Sequence, residues 1–188
     1  MSEVVTNLIK SRAGREFLGS KGGIITVASG FYGDSTSTSR GVWQNILTVG
    51  IEKKNSNSNI FVVGTFGSLM MGGNHNCGEW CLLRDGQPVF YGDPLGNEHG
   101  TTTSQNRMAT GKIVVNGNNY GNNRNTWSQG VRFLDTDTQG LSHPSYTLAV
   151  RDGNQDGTIY VNRGAILSNS EDSLGTTNLL VMEVVAWV

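Results

Sequence analysis

The run NLLVMEVVAWV, residues 178–188, decides the fold. β-branched and aromatic side chains fill it (Val181, Val184, Val185, Trp187, Val188), and that is strand chemistry. A half-buried strand alternates apolar and polar residues. Here both alternate faces are apolar. Leu179, Val181, Val185 and Trp187 share one face, and Leu180, Met182, Val184, Ala186 and Val188 share the other. The pattern predicts a strand central in its sheet and covered on both sides, by its own core and by either a second sheet or another copy of the chain. Only Glu183 interrupts it. A carboxylate buried there needs a partner, and Arg132, Arg151 and Arg163, in or at the ends of expected strands, are the candidates.

Upstream the same chemistry recurs in short runs. IITVASGFY (24–32), WQNILTVGI (43–51), NIFVVGTFGSLMM (59–71), EWCLLRDG (79–86), PVFYGD (88–93), KIVVNG (112–117), WSQGVRFLDT (127–136), SYTLAVRD (145–152) and GTIYVNRGA (157–165) read as strands. Polar segments rich in Gly, Asn, Ser and Thr separate them, and Asp85-Gly86 is a hairpin signal. About ten short strands at regular spacing predict an all-β antiparallel sandwich or barrel. No helical periodicity follows residue 22, which disfavours a parallel α/β fold.

Composition agrees. Charged residues are 15% and glycines number 26 of 188, the first well below the usual quarter and the second about twice the usual share. Such a surface is polar without being charged. A net charge of -1 predicts neither a nucleic-acid partner nor an anionic membrane. No run is apolar for long enough to form a transmembrane helix, and the N-terminus lacks the apolar core of a signal peptide. Synthesis in the cytoplasm, without export by that route, is the expectation.

Residues 1–22 differ from the rest. Val4, Val5, Leu8 and Ile9 fall at helical spacing behind Ser2 and Glu3, and Lys10, Arg12, Arg15 and Lys21 make the segment basic. The joint GSKGG (19–23) separates it from a β-domain over residues 23–188. So short a segment is marginal as a free helix. It is either a disordered leader or an anchor that docks on a larger assembly.

Motifs that carry chemistry are few. DGNQDGTI (152–159) begins like a calcium loop of the EF-hand type, with Asp152, Asn154 and Asp156 at alternate positions. However, the twelfth position, which supplies a bidentate Glu, is Arg163. A β-hairpin turn between SYTLAVRD and GTIYVNRGA is the preferred reading. His75, Cys77 and Cys81 make only three ligands, at a spacing unlike that of zinc sites, and Cys81 reads as core. On one extended strand Cys77 and Cys81 stand roughly 13 Å apart, too far for a disulfide. Asp135 and Asp137 form the one carboxylate pair of a kind glycosidases use, but Asp and Thr alternating at a strand end is also ordinary turn chemistry. Neither a Ser-His-Asp pattern nor a phosphate loop stands out. No catalytic, cofactor or metal residue is assigned, and no enzyme activity is expected. Trp43, Tyr120 and the loops at 94–108, 118–126 and 136–144 are the places where a sugar could stack and hydrogen-bond.

Taken in order, the polar turn before NIFVVGTF, then WCLLRDGQPVFYGD, VRFLDTDT, YTLAVRDGNQDGTIYVNRG and the closing LLVMEVVAW resemble β-sandwich domains in structural proteins of tailed bacteriophages, many of them from marine and cyanobacterial viruses. LLRDG, GTIYVNR and L-x-V-M-E-V are the most specific pieces, and the likeness covers residues 24–188. It implies a jelly-roll-like sandwich, usually trimeric, carried on a virion as a fibre knob, capsid decoration or tail appendage, without catalytic activity. A short leader and one β-domain fit a decoration or knob protein better than a long fibre. The expected protein is thus a homotrimeric virion component that meets other capsid or tail proteins through residues 1–22. Binding of a host receptor or surface glycan is the alternative role.

Overall fold

The alternation read from the sequence becomes eleven strands in the computed structural model, which describes residues 23–38, 42–72, 77–90, 110–114, 127–152, 158–162 and 175–185. The expectations placed on residues 1–22, His75, Asn154, Asp156, Arg163, Tyr120, Trp187 and the loops at 94–108 and 118–126 lie outside the described residues. In chain order the strands are β1 (Gly23–Tyr32), β2 (Thr36–Thr38), β3 (Gln44–Gly50), β4 (Asn59–Gly72), β5 (Cys77–Arg84), β6 (Gln87–Phe90), β7 (Gly111–Val114), β8 (Trp127–Asp135), β9 (Ser145–Asp152), β10 (Thr158–Val161) and β11 (Thr177–Val185). No helix occurs among the described residues. The strand beyond the expected ten is β2, in a polar segment whose residues pair with β10.

Strand β4 organises the first sheet. Ile60 pairs with Asp135 of β8 and with Glu183 of β11, while Leu69 pairs with Trp127 of β8 and with Val161 of β10. So β8 runs along one edge of β4, and β11 and β10 lie end to end along the other. Next to them, again end to end, come β1 on β11 and β2 on β10. The second sheet runs β3-β9-β5, with β6 and β7 sharing the far edge of β5. Every pairing is antiparallel.

The orders β1-β11-β4-β8 and β3-β9-β5-β6/β7 arise because the chain changes sheets from β1/β2 to β3, to β4, to β5, to β8, to β9 and to β10. That wrapping is the double-sheet jelly roll. The last of these changes corrects the hairpin reading of DGNQDG. β9 belongs to the second sheet and β10 to the first, so residues 153–157 link strands of opposite sheets. The reason is burial: Leu148 and Val150 face inward from one sheet, and Ile159 and Val161 from the other, all of them buried.

The core lies between the sheets. Ile60, Val62, Phe66, Leu69, Leu179 and Val181 come from the first sheet, and Ile46, Val49, Trp80, Leu82, Tyr146 and Leu148 from the second. Each such side chain contributes about 1.5–3 kcal/mol by leaving water. Phe66 meets Trp80 edge to face, with ring centres 5.8 Å apart. One position demands glycine on both partners. Gly67 and Gly175 approach so closely that a Cβ on either would collide with the other's backbone. There the β4–β8 register slips between Phe66 and Leu69, and the chain entering β11 crosses over the slip. At the hairpin between β5 and β6, Asp85 and Gly86 have φ values of 50° and 81°, the positive pair that a two-residue turn needs.

Candidate functional site

Two features stand out, a buried polar cluster at one end of the sandwich and an apolar outer face on the first sheet. The cluster grows from one row of the first sheet, where Glu183, Ile60 and Asp135 are side by side on β11, β4 and β8 and point inward. The carboxylate of Glu183, fully buried, accepts hydrogen bonds from Lys54 N (2.9 Å), Asn55 N (2.8 Å) and Ser58 Oγ (2.6 Å). This corrects the expected arginine partner. Arg132 is exposed on the outer face, and Arg151 pairs with Glu79. Two backbone amides and a hydroxyl satisfy a carboxylate without a bulky cation, as at a helix N-cap.

Lys53 is the cation nearby. Its buried ammonium donates to Ser58 O (2.8 Å), Thr138 O (2.6 Å), Thr138 Oγ1 (3.2 Å) and Ser56 O (3.3 Å). Burial pulls its pKa below the usual lysine value, while Glu183 and Asp135 oppose that shift. The loop between β3 and β4 is thereby tied to the one between β8 and β9, and Lys53 N adds a bond to Ser142 O of 2.8 Å.

Asp135 completes the cluster. Arg84 Nη1 lies 2.8 Å from both its carboxylate oxygens, and the Tyr146 hydroxyl donates to Oδ2 at 2.7 Å. Burial and the adjacent Asp135 carboxylate push Tyr146 well above the usual phenol range. Asp137 accepts more weakly from Arg84 Nη2, at 3.2 Å, and its side chain is 95% exposed, against 3% for Asp135. One member of the sequence's carboxylate pair is thus fixed under an arginine and the other stands in solvent. Both accept from the same Arg84 guanidinium, whereas acid–base work on a glycosidic bond needs two carboxylates on either side of that bond. The Asp137 N–H donates back to Asp135 Oδ1 at 3.1 Å, which is the turn chemistry of the alternative reading.

On the second sheet, Arg151 bonds Glu79 through Nε (2.6 Å) and Nη2 (2.5 Å), and its guanidinium lies 4.5 Å from the centre of the Trp43 ring. Trp43, a sugar-stacking candidate from sequence, is therefore engaged by a cation. Cys81 is fully buried, as a core residue should be, and its thiol donates to Leu82 O at 3.5 Å. It lies on the outer side of the second sheet with Leu83 of β5 and Ala149 of β9, whereas Trp80 and Leu82 point into the main core. Burial raises its pKa to about 11, so at neutral pH it is a thiol and a poor nucleophile.

Sequence reasoning missed Asn162. It sits at φ 55°, fully buried, between β10 and β11. Its N–H donates to Ser68 O (2.9 Å), its Nδ2 to Tyr32 O (2.6 Å) and Asp34 O (3.3 Å), and its Oδ1 accepts from Thr177 Oγ1 (2.9 Å). The available signal was an asparagine closing a strand, since Asn tolerates the left-handed region.

The outer face of the first sheet is built differently. Odd-numbered residues of β11 from Thr177 to Glu183 are buried between the sheets, and even-numbered ones alternate away from them. Among the described residues, the expected cover on both faces is therefore only half met. Leu180, Met182 and Val184 point outward and are half-buried. Their lateral neighbours are apolar too. Val27, Met182, Phe61 and Leu134 form one row across β1, β11, β4 and β8. Ile24 beside Val184 and Val63 beside Leu180 extend it. Ile24, Val27 and Leu134 are 42%, 46% and 48% exposed. The second sheet's outer side contrasts with this, because Glu79, Cys81, Leu83, Thr147, Ala149 and Arg151 are all buried there.

No protein-family profile matches the chain, and a search of curated proteins finds no relative. Among the described residues, no helix is long and apolar enough to cross a membrane.

Proposed function

We propose that the chain is a non-enzymatic structural protein of a tailed-bacteriophage virion, a capsid decoration, knob or fibre component that assembles as a homotrimer and docks on other virion proteins through residues 1–22. The observation that carries this reading is the outward face of β11, where Leu180, Met182 and Val184 line a central strand with no second layer of described chain burying them. Apolar side chains in the middle of a sheet face, bordered by polar ones, have the composition of an interface centre. The ionisable residues of the polar end support it, since Glu183, Asp135, Lys53 and Arg84 are all spent on holding loops together.

Light scattering of purified full-length protein at micromolar concentration should give a single species of three chains. A stable monomer overturns the assembly part of the reading. Antibody labelling of intact particles should place the chain on the particle surface, and particles free of it overturn the virion part.

Receptor or glycan binding is the second reading. The loop at 136–144 favours it, because Thr138 is locked at its base while Gln139, Ser142 and His143 are exposed. Replacing residues 139–143 by Gly-Ser, with Thr138 kept, should abolish host adsorption if this reading holds and leave it unchanged otherwise.

A further inference from the structure

The apolar face is not uniform, and its unevenness bears on how copies meet. Its most exposed apolar side chains lie on the two flanks, Phe31, Val27 and Ile24 on β1 and Leu134 on β8, while Met182 and Phe61 between them are half-buried. Val27 and Leu134 stand in the same row, three strand spacings apart, or roughly 14 Å. A ring of identical subunits needs two different patches on each, one for either neighbour, whereas a two-fold pair needs one patch that meets itself. We infer that, in the assembly proposed above, the β1–β11 flank of one copy packs on the β4–β8 flank of the next, so that Val27 faces Leu134 across every subunit contact.

The occupant is a second copy rather than residues 1–22. Among the described residues, those around the patch are Asn59, Ser29, Phe31, Asn178 and Thr65, and the one charge on it is Arg132. With no carboxylate among the described residues of this face, the basic segment 1–22, with Lys10, Arg12, Arg15 and Lys21, finds no opposite charge there. A neighbouring copy brings an apolar, nearly uncharged surface that needs none. This inference rests on the trimer reading and gives it a contact.

A charge swap within one chain tests it. Val27→Asp and Leu134→Lys sit at half-exposed positions, so each variant keeps its fold, as near-ultraviolet circular dichroism will verify. Each substitution alone should convert the trimer to monomer. Val27→Asp and Leu134→Lys together in one chain place opposite charges across every flank-to-flank contact and should restore the trimer, at least about tenfold tighter than either single variant. If both single variants remain trimeric, or if both are monomeric and the double variant stays monomeric, the flank-to-flank contact is wrong while the trimer stands. Were Val27 to face Val27, the double variant would be the worst of the set. Should Leu8→Asp release monomers while Val27→Asp does not, residues 1–22 are the occupant. A wild-type monomer removes the trimer reading and this contact together.

Discussion

Glu183 illustrates how one side chain can hold two distant parts of a chain. Its three donors come from residues 54–58, more than a hundred positions upstream. Glu183→Ala would leave the part-buried Lys54 and Asn55 amides and the Ser58 hydroxyl without their acceptor and remove one of the two carboxylates near Lys53, a loss of about 2–4 kcal/mol. Glu183→Gln keeps an acceptor and should lose less, about 1–3 kcal/mol. Urea unfolding of the two variants measures the difference, and equal losses would show that the charge contributes nothing. Buried Cys81 and Tyr146 make a second prediction. The Cys81 thiol titrates near 11 in the folded chain against an ordinary 9.0. Between those values the folded chain keeps a proton that the unfolded chain has released. Stability is therefore full below pH 9 and falls as pH rises toward 11. Tyr146, raised above 10.0 for the same reason, adds to the loss from pH 10 upward. The decline is about 1.4 kcal/mol per pH unit for each group while only the unfolded chain is deprotonated. Lys53, with its pKa lowered, acts in the opposite direction near 10.5. Urea midpoints from pH 8 to 11 should fall in this order, with Cys81→Ala removing the early part and Tyr146→Phe the later one.

Among the elements, the β5–β6 hairpin and the crossing at Gly67 define opposite extremes of tolerance. Gly86→Ala meets no neighbour, and its cost is the positive φ alone, about 1 kcal/mol. Gly67→Ala must push the backbone of Gly175 and Thr176 aside. Thermal melts should show the second change to be much the more damaging, and near-equal melting temperatures would mean that the crossing yields easily. These two sites also mark how far the elements were legible in the sequence. Local chemistry sufficed for every strand but β2 and for the Asp85-Gly86 turn, because alternation and turn residues act over a few positions. It also fixed β11 as a central strand, since nothing else explains apolar side chains on both faces. It could not show that β9 and β10 lie in different sheets, because a turn-rich segment looks the same whether it folds back or crosses over. Nor could it find the donors to Glu183, two of which are backbone amides and carry no side-chain signature. Asp135 and Asp137 were visible as a pair, but their unequal burial is set by Arg84 and Tyr146 from the other sheet.

For the whole molecule, assembly and stability are linked. If copies cover the outer face of the first sheet, unfolding separates them, so the unfolding midpoint must rise with protein concentration. Melts at 1 and 100 μM, concentrations chosen on the order of usual assembly affinities, should differ by several degrees, and coincident melts would indicate a chain that is stable alone. The same sheet also sets the timing of folding. β11 is the strand that joins β1 to β4, with Gly23 opposite Val185 and Thr65 opposite Asn178. Roughly 120 residues are synthesised between β4 and the end of β11, which at about 5–20 residues per second takes on the order of ten seconds. For that interval, β1 and β4 await on the ribosome a partner that has not yet been made, with Val27, Phe31, Phe61 and Val63 in water. The nascent chain is then most open to wrong pairing, and slowing translation ahead of residue 177 should lower the yield of soluble protein.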